Sequence, residues 1–233
     1  MISFCITCKN RSKVKVDNIT LDLFPKCLDS IIEHCNEIEE GVEVVISDWN
    51  STDLPLEGWV FDKFKDSNIS VKIVQITDMD KFNLSHGRNV AYSASKGDKL
   101  FFIDADMLVC PEVILDGIIG INDGCVVFPI CYFERGSLSK KERFGLGKKA
   151  QGNMFISRNN FELVGLWSSS FFYGGEDDSY ASACFKNGIR SIREPYVNFI
   201  HQWHPRYLGW TYGGKRSKKF RQKIRQNKRK RKT

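Results

Sequence analysis

An α/β domain with a mostly parallel central sheet flanked by helices is the fold class that this 233-residue sequence predicts. Short β-rich runs recur along the chain, helical patterns lie between several of them, and the composition is globular, 42% hydrophobic and 27% charged. One hydrophobic core suits this length, so a single domain over residues 1–214 is expected, followed by a polybasic, disordered tail over 215–233.

The expected strands, in order, are ISFCIT at 2–7, VEVVIS at 42–47, VKIVQI at 71–76, KLFFI at 99–103, CVVFPI at 125–130, NMFIS at 153–157 and Tyr196 to Ile200. The first helix carries Leu28, Ile31, Ile32 and Cys35 at i, i+3, i+4 and i+7, one stripe for burial against the sheet. A second helix is expected from about His86 to Lys96, stopping at Gly97, and a third from about Asp177 to Asn187, stopping at Gly188. Both glycines suit the left-handed turn that ends a helix. Residues 132–152 are polar and rich in Gly and Lys, which predicts a long loop and a candidate lid. Within it, Gly145-Leu146-Gly147 through Ala150 imitates a dinucleotide-binding glycine pattern, but the charged residues before it are not the buried strand such a turn needs.

Composition removes several function classes. The longest uncharged run, Leu163 to Gly175, has 13 residues, short of the ~20 that cross a bilayer. The opening MISFCITCKNR does not read as a secretory signal, so a cytoplasmic location is expected. Of the 35 Lys and Arg residues, 12 lie in 215–233 with no acid among them, which leaves 23 bases against 28 acids and a net −5 over 1–214. The basic character belongs to the tail, and suits a solvated segment or a peripheral tether to an anionic membrane surface. A nucleic-acid-binding protein needs a basic face that this body lacks. The eight cysteines are irregularly spaced, mostly among apolar residues, and are expected reduced in the core. Cys5 and Cys8 are three apart in a strand and so face opposite sides.

Chemistry concentrates in three places. Asp104 and Asp106 follow an apolar strand at its carboxyl end, where open α/β sheets bind ligands. At i and i+2 in extended geometry both carboxylates point the same way, and hard oxygen donors suit Mg²⁺ or Mn²⁺. Gly174-Gly175-Glu176-Asp177-Asp178 opens the third helix. Capping and the helix dipole account for one or two of its acids; the glycines also allow a close backbone approach, with a carboxylate projecting into a cleft as a general base. His201-Gln202-Trp203-His204 follows the last strand. Two such histidines alone are ordinarily packing residues, but near Asp104 and Asp106 an imidazole becomes a third metal ligand.

In order along the chain stand ITCKNR with Arg11, VVISDWNSTD with Asp48, SHGRNVAYSASKGDKLFFIDAD, YGGEDD and the late His. Together, from Ser3 to about Tyr207, they resemble the inverting family 2 glycosyltransferases of the GT-A fold. They are most similar to chondroitin-polymerase-like catalytic domains, and in the acidic motif to β1,4-galactosyltransferases and polypeptide N-acetylgalactosaminyltransferases. The resemblance implies a nucleotide-sugar donor, a UDP-sugar by family habit, a glycan acceptor, and Mn²⁺ or Mg²⁺. It implies that Asp48 contacts the uracil or ribose, that Thr7 and Arg11 belong to the nucleotide wall, and that Arg88 and Asn89 belong to the donor-site helix. Asp104 resembles the ribose-side acid of the metal motif, Asp106 the direct ligand and His201 the imidazole ligand, with His204 competing for that role. Asp177 resembles the catalytic base, and Glu176 the residue that holds the acceptor. Tyr173, where Trp is usual, and Ser179, where a third Asp is common, depart from the galactosyltransferase pattern and leave the acceptor open. A sugar-nucleotide nucleotidyltransferase shares the fold class, but Cys8-Lys9-Asn10-Arg11 lacks the glycines of its phosphate loop.

Overall fold

The computed structural model describes residues 1–36, 38–77, 79, 81–134, 144–146, 152–170 and 175–205. In chain order its elements are β1 (Ile2–Cys8), β2 (Val14–Val16), β3 (Ile19–Leu21), α1 (Leu23–Cys35), β4 (Val42–Asp48), a 3₁₀ turn (Leu56–Gly58), α2 (Val60–Phe64), β5 (Ser70–Gln75) and α3 (Leu84–Ala94). There follow β6 (Lys99–Asp104), β7 (Met107–Leu108), α4 (Pro111–Asn122), β8 (Val126–Val127), β9 (Ile130–Glu134), β10 (Phe144–Leu146), β11 (Met154–Ser157), α5 (Arg158–Val164), α6 (Glu176–Lys186), β12 (Ser191–Ile192) and β13 (Pro195–His201).

Seven strands form the central sheet in the order β12-β8-β11-β6-β1-β4-β5. β6, β1, β4 and β5 run parallel, β12 runs parallel to β8, and β11 alone runs against its neighbours. Every residue of β1 and β4 is buried, as expected for parallel strands covered on both faces. α1 buries Phe24, Cys27, Leu28, Ile31 and Cys35 against one face, where Phe4, Ile6 and Cys8 point. On the other face Ala91 of α3 meets Cys5 and Val45. Cys5 and Cys8 therefore take opposite faces, as the strand period requires. All eight cysteines are buried and unpaired, and burial pushes the Cys5 thiol up to about 12, which leaves it inert at neutral pH.

α3 approaches β1 closely because residue 87 is Gly. A Cβ there would lie 2.4 Å from Thr7 Cγ2. This approach carries Arg88 and Asn89, the next two residues, to the sheet's carboxyl edge.

Three expectations change. α3 ends at Ala94, with Ser95 extended, and Gly97 has no left-handed φ. Gly97 is needed for contact instead, since a Cβ would come 2.4 Å from Ser3 Oγ. Gly188, with φ +74°, does take the left-handed turn after α6. The run expected as one strand over 125–130 divides into β8 and β9, which belong to different sheets; Pro129, lacking an amide hydrogen, stands between them. The expected loop over 132–152 begins as the end of β9, and Phe144–Leu146 pairs antiparallel with it. The rest of that loop, 135–143 and 147–151, lies outside the described residues, as does the tail over 215–233.

β10, β9, β13 and β7 form a second sheet in that order. Antiparallel pairing of β13 with β7 sets His201 opposite Met107. No helix among the described residues is long and apolar enough to cross a membrane.

Candidate active site

Parallel register aligns the strand ends. Thr7 of β1 lies opposite Asp104 of β6, and Cys8 lies opposite Asp48 of β4. The carboxyl edge thus gathers Thr7, Asp48 and Asp104, at the place where such sheets bind ligands.

Asp104 closes β6, but Ala105 and Asp106 already belong to a turn. The extended geometry assumed for the two acids fails here, and their carboxylates part. Asp104 Oδ1 accepts from Arg88 Nη2 at 3.0 Å, while its backbone N–H donates to Asn153 Oδ1 at 2.9 Å. Arg88 is fully buried, donates from the same nitrogen to the Gly152 carbonyl at 2.7 Å, and lies 4.6 Å over the Trp167 ring. Asn89 clasps the Trp167 backbone with both ends of its amide, at 2.8 and 3.0 Å. This pair of α3 residues acts as a brace, tying a strand-end acid to the segment before α6.

Asp106 turns the other way. The Gln202 N–H donates to the Asp106 carbonyl at 2.9 Å, continuing the β7–β13 ladder, and this brings the following histidines onto the carboxylate. His201 Nε2 stands 3.4 Å from Asp106 Oδ1, His204 Nε2 stands 3.1 Å from Oδ2, and Arg11 Nε donates to Oδ2 at 3.2 Å. One ligating atom each from Asp106, His201 and His204 fall within 4.8 Å of one another. Asp104 is not in this group, and the two histidines that competed for one role both belong to it.

The group fits a divalent cation. Asp106 Oδ1 is buried without a hydrogen-bond partner among the described residues. His204 Nδ1 faces the Pro205 carbonyl at 2.9 Å, and a carbonyl only accepts, so Nδ1 holds the proton. In the neutral ring Nε2 then presents a lone pair to a carboxylate oxygen. Two acceptors 3.1 Å apart need a proton or a metal ion between them, and N and O donors of this kind suit Mn²⁺. Burial opposes a charged His204, but the Asp106 carboxylate outweighs it and raises the imidazole above its ordinary range. Burial likewise works against an ionised Asp106, yet His201, His204 and Arg11 hold its carboxyl well below the usual range.

Asp48 is buried, and its Oδ1 accepts from Ser51 Oγ at 2.6 Å and from the Ser51 N–H at 3.2 Å. This closes a tight turn in which Asn50 takes a left-handed φ of +53°. Thr7 Oγ1 accepts from Ser47 Oγ at 3.1 Å, and the Thr7 side chain lies beneath Gly87. Sequence reasoning does not find the lacing of the two strand-end loops, where the Asn10 N–H donates to Ser51 Oγ and Asn10 Oδ1 accepts from the Thr52 N–H. Nor did it single out the aromatic wall beside Asp48, where Trp49 lies 5.3 Å from Phe82 and 5.8 Å from His86. The signal was available: Trp49 is Asp48's neighbour in sequence.

Gly175 holds φ +100°, a conformation that only glycine adopts freely, and turns the chain into α6. Glu176 points inward and is buried, with Oε2 unpartnered among the described residues. Burial raises its carboxyl above the ordinary range against the opposing charge of Arg88, and Asp177 and Asp104 add to the rise. Asp177 is half-buried, and its Oδ1 accepts the N–H of Asp178 at 3.1 Å. Tyr180 of the same helix stacks 4.2 Å from Trp167. A continuous line of contacts, Tyr180 to Trp167 to Arg88 to Asp104, therefore joins α6 to the end of β6.

No family model and no curated protein matches the chain. Solved structures do. It is similar to S. aureus TarS 1-349 at 15% identity and a TM-score of 0.64, over 86% of this chain, and to the same protein in complex with UDP-GlcNAc at 14% identity and 0.64 over 91%. It is also similar to the mannosyltransferase PcManGT from Pyrobaculum calidifontis in complex with GDP-Man and Mn²⁺, at 17% identity and 0.66 over 90%. The chain spans 60%, 61% and 59% of those three structures' lengths. The shared architecture is the GT-A fold, an α/β domain on a mostly parallel sheet.

Proposed function

We propose that the protein is a metal-assisted glycosyltransferase of the inverting, family 2 type, moving a sugar from a nucleotide diphosphate donor to a hydroxyl of a glycan. The observation that carries this reading is the Asp106, His201 and His204 group at the carboxyl edge of the sheet, in a fold shared with structures solved with UDP-GlcNAc and with GDP-Man and Mn²⁺. These three residues would hold the ion, which supplies Lewis-acid neutralisation of the diphosphate leaving group. Asp48, Thr7, Arg11 and the Arg88 brace flank the nucleotide, and Asp104 the ribose. Asp177 takes the acceptor hydroxyl's proton on the face opposite the leaving group, which gives inversion in one displacement. Glu176 beside it holds the acceptor.

A thermal-shift panel of UDP-, GDP- and dTDP-sugars with and without Mn²⁺ tests the reading. A ligand at 100 times its dissociation constant adds ~2.7 kcal/mol of stability, so a UDP-sugar is expected to stabilise the protein only when Mn²⁺ is present. If no nucleotide sugar shifts the transition under either condition, the reading is wrong.

In the same reading residues 1–214 form one domain, and the tail over 215–233, with its 12 cations, tethers it to the anionic surface of a cytoplasmic membrane leaflet. Sedimentation with phosphatidylserine vesicles is expected at low salt, to fade at high salt, and to be lost when 215–233 are deleted. Binding that survives the deletion would remove the tail from this role.

A further inference from the structure

The Arg11 guanidinium occupies the side of Asp106 that a cation would share. Its Nε donates to Oδ2 at 3.2 Å, and Oδ2 is the same oxygen that faces His204 at 3.1 Å. Both partners are largely removed from water, with 12% of the Arg11 side chain and 8% of the Asp106 side chain exposed. The pair is therefore weakly screened.

A divalent ion on Asp106 and His204 would stand within a few ångströms of this fixed positive charge, and like charges at that distance repel strongly in a partly buried site. The two cannot both hold Oδ2 at full strength. We infer that Arg11 is a stand-in cation: it neutralises Asp106 in the metal-free protein, is displaced when a divalent ion binds, and then turns to the diphosphate of the donor. This rests on the metal-assisted reading above and adds to it an order of events, with the ion seated before the phosphates gain Arg11.

The backbone supports a side-chain movement with the chain held still. The Arg11 carbonyl accepts from the Phe24 N–H at 2.9 Å, which pins it to the start of α1. The preceding loop is laced to the β4 end through Asn10 and Ser51. Arg11 thus pivots about an anchored Cα at the mouth of the site. Its charge passes from a carboxylate to a phosphate, and the guanidinium fork suits either anion.

The test is a Mn²⁺ titration of the free protein by calorimetry or electron paramagnetic resonance, followed by UDP binding at saturating Mn²⁺, for wild type, Arg11→Ala and the near-isosteric Arg11→Met. Both variants are expected to bind Mn²⁺ alone about tenfold more tightly than wild type, and UDP in the presence of Mn²⁺ about tenfold more weakly. These opposite signs are not produced by general damage to the fold, which would weaken both. Unchanged or weaker Mn²⁺ binding in the variants overturns the competition while leaving the metal site standing. Wild-type protein that binds no Mn²⁺ at all overturns the metal reading, and the stand-in with it.

Discussion

Replacing Asp106 by Asn is expected to abolish Mn²⁺-dependent binding of UDP, with Mn²⁺ affinity itself falling by at least about 100-fold. Losing a group that merely orients a ligand typically costs 10–100-fold, and among the described residues Asp106 is the carboxylate that His201 and His204 both face. The substitution preserves shape and removes the charge, so Oδ2 becomes either an amide donor or a weak acceptor between two imidazoles and a guanidinium. The two imidazoles and the guanidinium then face an uncharged amide where the carboxylate stood. Calorimetry with Mn²⁺ and with UDP checks the expectation, alongside circular dichroism to confirm folding. A folded Asp106→Asn protein that binds both as wild type does would show that the ion sits elsewhere.

The second large effect is expected at Asp177. Asp177→Asn keeps volume and cannot accept a hydroxyl proton, so turnover should fall by ~10²–10⁴-fold, the usual contribution of a general base. Donor binding should hardly change, because the groups proposed to flank the nucleotide come from β1 and the loop after it, β4, β6 and α3, while Asp177 lies in the first turn of α6. If Asp177 only caps its helix, Asn serves nearly as well, and the loss is at most ~1 kcal/mol of stability with activity retained. Steady-state rates set beside UDP affinities separate the two. Near wild-type transfer would move the base to Glu176, whose carboxyl is raised by burial.

The sheet was legible in the sequence because its inner strands are buried on both faces and so appear as largely apolar runs, as in Ile2–Cys8 and Val42–Asp48, where polar residues such as Ser3 and Glu43 break the run without breaking the pattern. α4 was not, because Gly117 and Gly120 interrupt its pattern. Both prove to be contact residues, where a Cβ would lie 2.5 Å from Phe155 Cδ2 or 2.4 Å from Val127 Cγ2. The β2–β3 hairpin was missed because its strands are three residues each and largely uncovered. At the site, residue types pointed to Asp106 and both histidines, but their meeting depends on the pairing of β13 with β7, which is a tertiary fact. The same holds for Asp104: spacing alone gave it a shared direction with Asp106, whereas the turn at Ala105 sends it to Arg88.

That two-residue ladder between β7 and β13 also bears on when the protein becomes competent during synthesis. The strands proposed to flank the nucleotide are all made by residue 104, whereas the proposed metal group needs His201 and His204 to return across roughly 95 residues of chain to Asp106. Contacts so distant in sequence form late, because a long loop must close before they are rewarded. A nascent or half-folded chain would present Asp106 without its imidazoles and hold divalent ions poorly. Ion capture would thus act as a checkpoint on maturity, coming only after the last strand has docked.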